Sequence, residues 1–420
     1  MIRKRRLDNG IRVVSERMAH ARSVSLGVWA LSGTITENGG ESGASHFTEH
    51  MLFKGTETRT AQDIAGEMDA VGGNLNAFTT KEGTCFYADV PAEHLKKAAE
   101  VLSDIVLNSV FDPEEFEREK NVVMEEILLS GDLPEDVSEE EACRIFFRGD
   151  RLGMPVLGTK ESVGAMTAEG LKAYWRRRYA PQNLVVSCAG SFDHAEFADL
   201  AGSCFGSAAK RPSEPVPGNA YPGGRRISFI RRNAEQVYIT LCMPGFASET
   251  PESYALCVLS NAIGGNLSSR LFQVIRERRG LAYTVSSSPN PSATTGCFEV
   301  YAGTDESRAA EVTELIMKEL RDIRKNGISR EEFLRGKEQA KGSFILDMES
   351  PHAHMETAGR TALLQKREYT EAQTLGKLDC VTMEQVEAVI PVVLDEANLC
   401  AAFAGRVGKV RNALKDALSL

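Results

Sequence analysis

His46-Phe47-Thr48-Glu49-His50 places two imidazoles and a carboxylate within five residues. In a helix, positions four apart stand one turn above the other on one face, and Glu49 falls beside the second histidine. Two imidazoles presented together can hold a metal. A zinc used for hydrolysis takes three protein ligands and keeps one position open for water. A carboxylate set next to that position can take the water's proton. The order H-x-x-E-H is the reverse of the commoner H-E-x-x-H. The chain has only seven histidines in 420 residues, so the pairing does not follow from abundance. His352-Ala353-His354 is spaced i,i+2, which does not share a helix face, and reads as no metal site.

A third ligand must come from a His, Asp or Glu elsewhere. Glu114 to Leu129 reads as an acidic helix with an apolar stripe at Phe116, Val122, Val123 and Ile127. Glu119 and Glu126 stand seven apart, two turns, on one face of it. Acidic pairs at this spacing are most often solvated surface charge, so the residues alone leave the third ligand open.

The elements that must hold these residues alternate between two periods. Arg22 to Trp29 alternates at period two, with Val24, Leu26 and Val28 on one face, and Gln236 to Leu241 alternates likewise. Ala61 to Val71 reads as a helix stopped by Gly72-Gly73. Leu7-Asp8-Asn9-Gly10-Ile11-Arg12-Val13-Val14 reads as strand, Asn-Gly turn and strand, and the basic start Arg3 to Arg6 as a solvated terminus. Pro212, Pro215 and Pro217 cannot continue a helix or a central strand, so 209–224 is expected as an extended linker.

The halves on either side repeat each other. Thr84-Cys85-Phe86 and Gly296-Cys297-Phe298 each open a strand followed by a helix, Leu95 to Leu107 and Ala309 to Ile323. Glu114-Glu115-Phe116-Glu117-Arg118 and Glu331-Glu332-Phe333-Leu334-Arg335 each start the next helix. Two duplicated domains are expected, 1–208 and 225–420, in an α+β fold with mostly antiparallel sheets. With no G-x-G-x-x-G and no P-loop, a dinucleotide-binding fold is not indicated. The second half has no H-x-x-E-H, and its helix near Ala262 to Asn266 carries no ligands, so metal chemistry belongs to the first.

The net charge of −10 makes nucleic acid and anionic membranes poor partners and would suit basic peptides. No run approaches the ~20 apolar residues of a membrane helix, and no apolar h-region follows the basic start. Nine cysteines, odd in number, scattered and without C-x-x-C, point to reduced thiols in a cytoplasmic compartment.

His46 to Thr56 and Glu117 to Ile127 together resemble the pitrilysin/insulinase/mitochondrial processing peptidase family, and the resemblance spans nearly the whole chain. Its two-domain layout is similar to that of the small processing-peptidase-like members. Leu is usual in the family where this chain has Thr48, a position that faces away from the metal. The resemblance implies a zinc endopeptidase for short or unfolded peptides, possessing one zinc per chain held by His46, His50 and Glu126, the last 76 positions after His50. It implies Glu49 as general base, and Glu119 as the carboxylate that orients a ligand. It makes Asn76, Ala77, Phe78 and Thr79 an edge strand that pairs with substrate main chain. It assigns Arg276 and Tyr283 to the substrate and the developing oxyanion. Asp136 and Glu140 are candidates to receive a basic side chain of presequence-like peptides. Gly264 to Arg270 matches the family's glycine-rich loop in position. The two domains are expected to form a clamshell, and the partners to be peptides together with a second copy or a paralogue. A non-catalytic core-type subunit is the alternative, disfavoured by the presence of every one of these site residues.

Overall fold

The period-two stretches become strands of two sheets, and the longer-period stretches become the helices that cover them. The computed structural model describes residues 2–212, 216, 218, 221–365 and 370–419. Its strands are β1 (Ile2–Arg6), β2 (Arg12–Arg17), β3 (Ser23–Ala30), β4 (Asn74–Thr79), β5 (Thr84–Pro91), β6 (Leu184–Gly190), β7 (Arg226–Arg231), β8 (Gln236–Pro244), β9 (Ala282–Pro291), β10 (Gly296–Asp305) and β11 (Cys400–Gly405). Its helices are α1 (Ala44–Leu52), α2 (Ala61–Asp69), α3 (Leu95–Asn108), α4 (Pro113–Asp132), α5 (Pro134–Phe146), α6 (Lys160–Ala165), α7 (Ala168–Arg178) and α8 (His194–Phe205). They continue as α9 (Pro251–Ile263), α10 (Ala309–Asn326), α11 (Arg330–Asp347), α12 (Pro351–Leu364), α13 (Glu371–Cys380), α14 (Met383–Val393) and α15 (Arg411–Ser419). Of the expected linker 209–224, residues 213–215, 217, 219 and 220 lie outside the described residues.

Two compact units result, each assembled from three stretches of chain. One holds Met1–Ile127, Met154–Pro217 and Ile345–Gln373; the other holds Leu128–Gly153, Gly218–Phe344 and Thr374–Leu420. Helix α5, which precedes the linker in sequence, belongs to the second unit, and α12, which follows it, belongs to the first.

The sheet of the first unit runs β1-β2-β6-β3-β5-β4 and that of the second β7-β11-β8-β10-β9. Among the described residues only β2·β6 and β7·β11 pair in parallel. Apart from β1, the two orders correspond strand for strand, which is the duplication seen in the sequence expressed as topology. The basic start is not a solvated terminus as expected. It is edge strand β1, paired antiparallel to β2 across the Asn9-Gly10 turn, where Gly10 takes φ +104°. Its charged side chains remain exposed, which discourages further pairing at that edge.

Alternation along β3 divides the core of the first unit. Val24, Leu26 and Val28 pack with Phe47, Phe86, Leu102 and Phe197 on one face. Trp29 points to the other, where Met355, Ala358, Ala362 and Leu363 of α12 cover it. Close approach makes this second layer possible. A Cβ at Gly359 would lie 2.1 Å from Trp29 Nε1, and one at Gly27 would lie 2.2 Å from Met355 Sδ. In the second unit Val237, Ile239 and Leu241 face a core shared with α9, α10 and α14. Their opposite face meets α5 through polar contacts, such as Ser138 Oγ to Thr240 Oγ1 at 2.8 Å. None of the nine cysteines is in a disulfide among the described residues. Among the described residues, no helix is long and apolar enough to cross a membrane.

Candidate metal centre

Helix α1 is built to show one polar face. Phe47, Thr48, Met51 and Leu52 are fully or almost fully buried, while His46, Glu49 and His50 are only partly covered. Thr48 is therefore on the core side, as its position in the motif implies. Phe47 stacks on Phe116 of α4 with ring centroids 4.9 Å apart. That apolar contact fixes α4 against α1 and brings Glu119 and Glu126, one and three turns further on, over the two histidines.

The result is a convergence of ligand atoms. One ligand atom each of His46, His50 and Glu126 lie within 4.8 Å of one another, the only such group among the described residues. Glu126 Oε2 is 3.5 Å from His46 Nε2 and 3.5 Å from His50 Nε2. Zinc bonds of ~2.0–2.1 Å in a tetrahedron put neighbouring ligand atoms about 3.4 Å apart. The donor set thus fits zinc in both chemistry and spacing. An ion-pair account fits less well, because burial, with His50 alongside, lowers the His46 pKa to about 4. His46 is neutral at pH 7, the state a metal ligand needs.

Glu119 does not join the three. Its Oε2 lies 3.1 Å from His50 Nδ1 and its Oε1 2.7 Å from Lys54 Nζ, with the carboxylate almost wholly buried. A proton held on Nδ1 by this carboxylate leaves the Nε2 lone pair directed at the centre. His46 has no counterpart: its buried Nδ1 meets no hydrogen-bond partner among the described residues. Glu49 Oε2 accepts a 2.5 Å hydrogen bond from Thr79 Oγ1 at the end of β4. Burial raises the Glu49 pKa above the usual carboxylate range, partly offset by that hydrogen bond and by His50.

Strand β4 is an edge strand, paired among the described residues only to β5. Ala77 shares the core face with Leu75, whereas Phe78 turns to the opposite face and meets Trp29 edge-on at 5.6 Å. Asn76 is exposed, and its Oδ1 accepts from the Ala77 amide at 2.8 Å. The remaining expected residues lie in the second unit. There the Arg276 guanidinium stacks on the rings of Phe272 and Tyr283 at 4.8 and 4.9 Å, and Tyr283 is 76% exposed. Asp136 and Glu140 stand one turn apart on α5, both exposed. His352 Nδ1 lies 3.2 Å from Asp89 Oδ2, and His354 Nδ1 lies 2.9 Å from Glu16 Oε2.

Two contacts were not foreseen from sequence. Lys54 was visible as a cation four residues after His50, the spacing that brings side chains together at a helix end. The Thr79–Glu49 bond joins a strand to a helix thirty residues away, and no local pattern marks it.

Residues 12–160 match the family described as Insulinase (Peptidase family M16), and residues 165–340 match Peptidase M16 inactive domain. An "uncharacterized zinc protease" of Mycobacterium leprae is 40% identical over 394 residues, covering 93% of this chain and 88% of that protein. The "uncharacterized zinc protease YmxG" of Bacillus subtilis is 36% identical over 390 residues, covering 93% and 95%. Among solved structures, a protease from Helicobacter pylori superposes with TM-score 0.88 at 20% identity, over 96% of this chain and 99% of that one. A chain of Complex III2 from Candida albicans superposes with TM-score 0.86 at 19% identity, over 99% of each. At these identities the structural likeness speaks to the fold alone.

Proposed function

The chain belongs to the insulinase family, peptidase family M16, and on that premise we propose that it is a zinc-dependent endopeptidase cleaving short or unfolded peptides, with Glu49 as general base. One observation carries the reading: His46, His50 and Glu126 converge at zinc-ligand spacing with Glu49 on the same helix. These three residues would hold one zinc per chain. Bound there, zinc supplies a water of lowered pKa and polarises the scissile carbonyl.

The chain's own residues account for the proton. Glu49, partly desolvated, takes it at a carboxylate oxygen. The Thr79 hydroxyl that donated to Glu49 can then turn. Protonated Glu49 donates to Thr79 Oγ1, Thr79 to Thr84 Oγ1 at 3.1 Å, and Thr84 to the Ser32 carbonyl at 2.8 Å. The carboxyl therefore has a partner in both protonation states, and gives the proton up to the leaving amine. Glu119 holds His50 in the tautomer that binds metal. The free edge of β4, from Asn76 to Thr79, supports recognition of an extended backbone with little demand on sequence.

Arg276 and Tyr283 are the proposed donors to the developing oxyanion, and Asp136 and Glu140 the proposed acceptors for a basic substrate side chain. A peptide in a reduced, cytoplasmic compartment is the proposed substrate, and a second copy or a paralogue the proposed partner. A non-catalytic subunit is the competing reading, since a Complex III2 chain has the same fold. The complete ligand set and base favour the enzyme.

Glu49→Gln tests this directly. The variant should bind zinc as the wild type does and lose on the order of 10³ in kcat on an unstructured peptide. A Gln variant that cleaves at the wild-type rate would remove Glu49 from the mechanism.

A further inference from the structure

The two histidines of α1 are held by different means. The ring of His50 is fixed by Glu119 from behind, whereas the buried Nδ1 of His46 has no hydrogen-bond partner among the described residues and its ring meets that of His50 edge-on at 4.7 Å, so the direction of His46 rests more on the backbone that carries it. That backbone is the first turn of α1, and it starts under an unusual constraint. The residue before α1 is Gly43, at φ +90°, where a Cβ would lie 2.6 Å from the Leu157 carbonyl oxygen and 2.9 Å from Gly158 Cα. No side chain fits there, so the Ser, Thr, Asp or Asn that ordinarily accepts from the first free amides of a helix is ruled out.

Glu37 takes over that task from outside the helix. Its Oε2 accepts from the Gly43 amide at 3.0 Å and its Oε1 from the Ser45 amide at 2.8 Å. The residue is 0% exposed, and a carboxylate at the positive end of a helix is favourably placed. The next residue in the chain after Ser45 is His46. A second contact locks the same residue: the hydroxyls of Ser45 and Tyr174 lie 2.7 Å apart, and Tyr174 reaches Thr36 Oγ1 at 3.0 Å. Glu37 itself follows the short turn Thr34–Thr36, whose last carbonyl accepts from the Arg178 guanidinium of α7.

We propose that Glu37, with Tyr174, is the positioning device that sets the first turn of α1 and thereby aims His46 at the metal. The proposal rests on the metallopeptidase reading above. In this proposal Glu37 acts through the Gly43 and Ser45 amides.

The test separates positioning from mere stability. Full-length Glu37→Gln, stripped with chelator, is titrated with cobalt(II), and its absorption bands report ligand geometry. Gln offers one acceptor where the two amides need two. Cobalt affinity should fall tenfold or more with altered band intensities, and Tyr174→Phe should move both in the same direction by less. Thr60→Ala, which removes the side-chain cap of α2, is the control: it should lower thermal stability yet leave cobalt affinity within twofold. Wild-type affinity and spectrum in Glu37→Gln would overturn the proposal, as would an equal loss of affinity in Thr60→Ala. If Glu37→Gln does not fold, an unchanged spectrum in Tyr174→Phe overturns it. A wild type that takes up no cobalt would instead bring down the metallopeptidase reading itself.

Discussion

Replacing Glu119 by Gln probes the centre without touching a ligand. The carboxylate serves two donors at once, His50 Nδ1 at 3.1 Å and Lys54 Nζ at 2.7 Å. The amide has the same shape but a single acceptor oxygen. If that oxygen faces His50, Lys54 is left against an amide N–H; if it faces Lys54, the proton on His50 Nδ1 loses its acceptor. Groups that orient a metal-bound histidine are worth 10–100-fold in metal affinity, about 1.4–2.7 kcal/mol. The side chain is only 8% exposed, so solvent cannot substitute for the lost charge, and the upper part of that range is expected. Competition for zinc against a chromophoric chelator measures it. Lys54→Met should weaken zinc less, and the double variant should be less than additive, because both changes act through one carboxylate. Wild-type zinc affinity in Glu119→Gln would refute the assignment of Glu119 as the residue that orients His50.

Arg276→Ala and Tyr283→Phe should each lower kcat/KM by about 100-fold, roughly 3 kcal/mol, with zinc content unchanged; unaltered steady-state kinetics would remove the second unit from the chemistry. Gly359→Ala should lower stability by about 1–3 kcal/mol, because the new methyl would meet the buried Trp29 indole. That outweighs the ~1 kcal/mol of helix propensity Ala gains, and a raised Tm would contradict the close approach of α12 to its sheet. Burial alone would raise the Glu332 carboxyl, but hydrogen bonds from Arg270 and Ser329 hold it down at about 2. Since its folded pKa lies below the unfolded one, its stabilisation is present above about pH 4.5 and is lost as pH falls towards 2. Denaturation across that window should show Glu332→Gln and wild type converging at the acid end; a constant gap would argue against the pairing.

Much of this was legible where the signal is local. The i,i+4 histidines, the period-two strands at Ser23–Ala30 and Gln236–Pro244, and the stop at Gly72-Gly73 are readable because each depends on neighbours in sequence. Glu126 was different. Acidic helices with two glutamates seven apart are common, and only resemblance singled this one out. Its proposed role rests on Phe47 stacking on Phe116, a contact between residues 69 positions apart. The terminal Arg3 to Arg6 looked like a solvated tail because charge masks strand propensity, whereas pairing across Asn9-Gly10 decided its structure. Nor can amphipathicity tell which sheet a helix will cover: α5 and α12 each pack in the unit that does not hold the strands of their own half.

The repeat in the sequence bears on why the candidate metal ligands fall in one unit. The offset between Glu114 and Glu331 is 217, so Glu119 corresponds to Gly336 and Glu126 to Ser343. This is not a simple deletion of ligands. A Cβ at Gly336 would lie 2.8 Å from the Val258 carbonyl oxygen of α9, and Asn261 Nδ2 donates to the Gly336 carbonyl at 3.2 Å. Where His and Glu side chains of α1 and α4 meet in the first unit, α9 and α11 of the second come together backbone to backbone at Gly336. A glutamate at 336 would therefore push α9 and α11 apart. At this position the second repeat has helix packing where the first has the candidate metal residues.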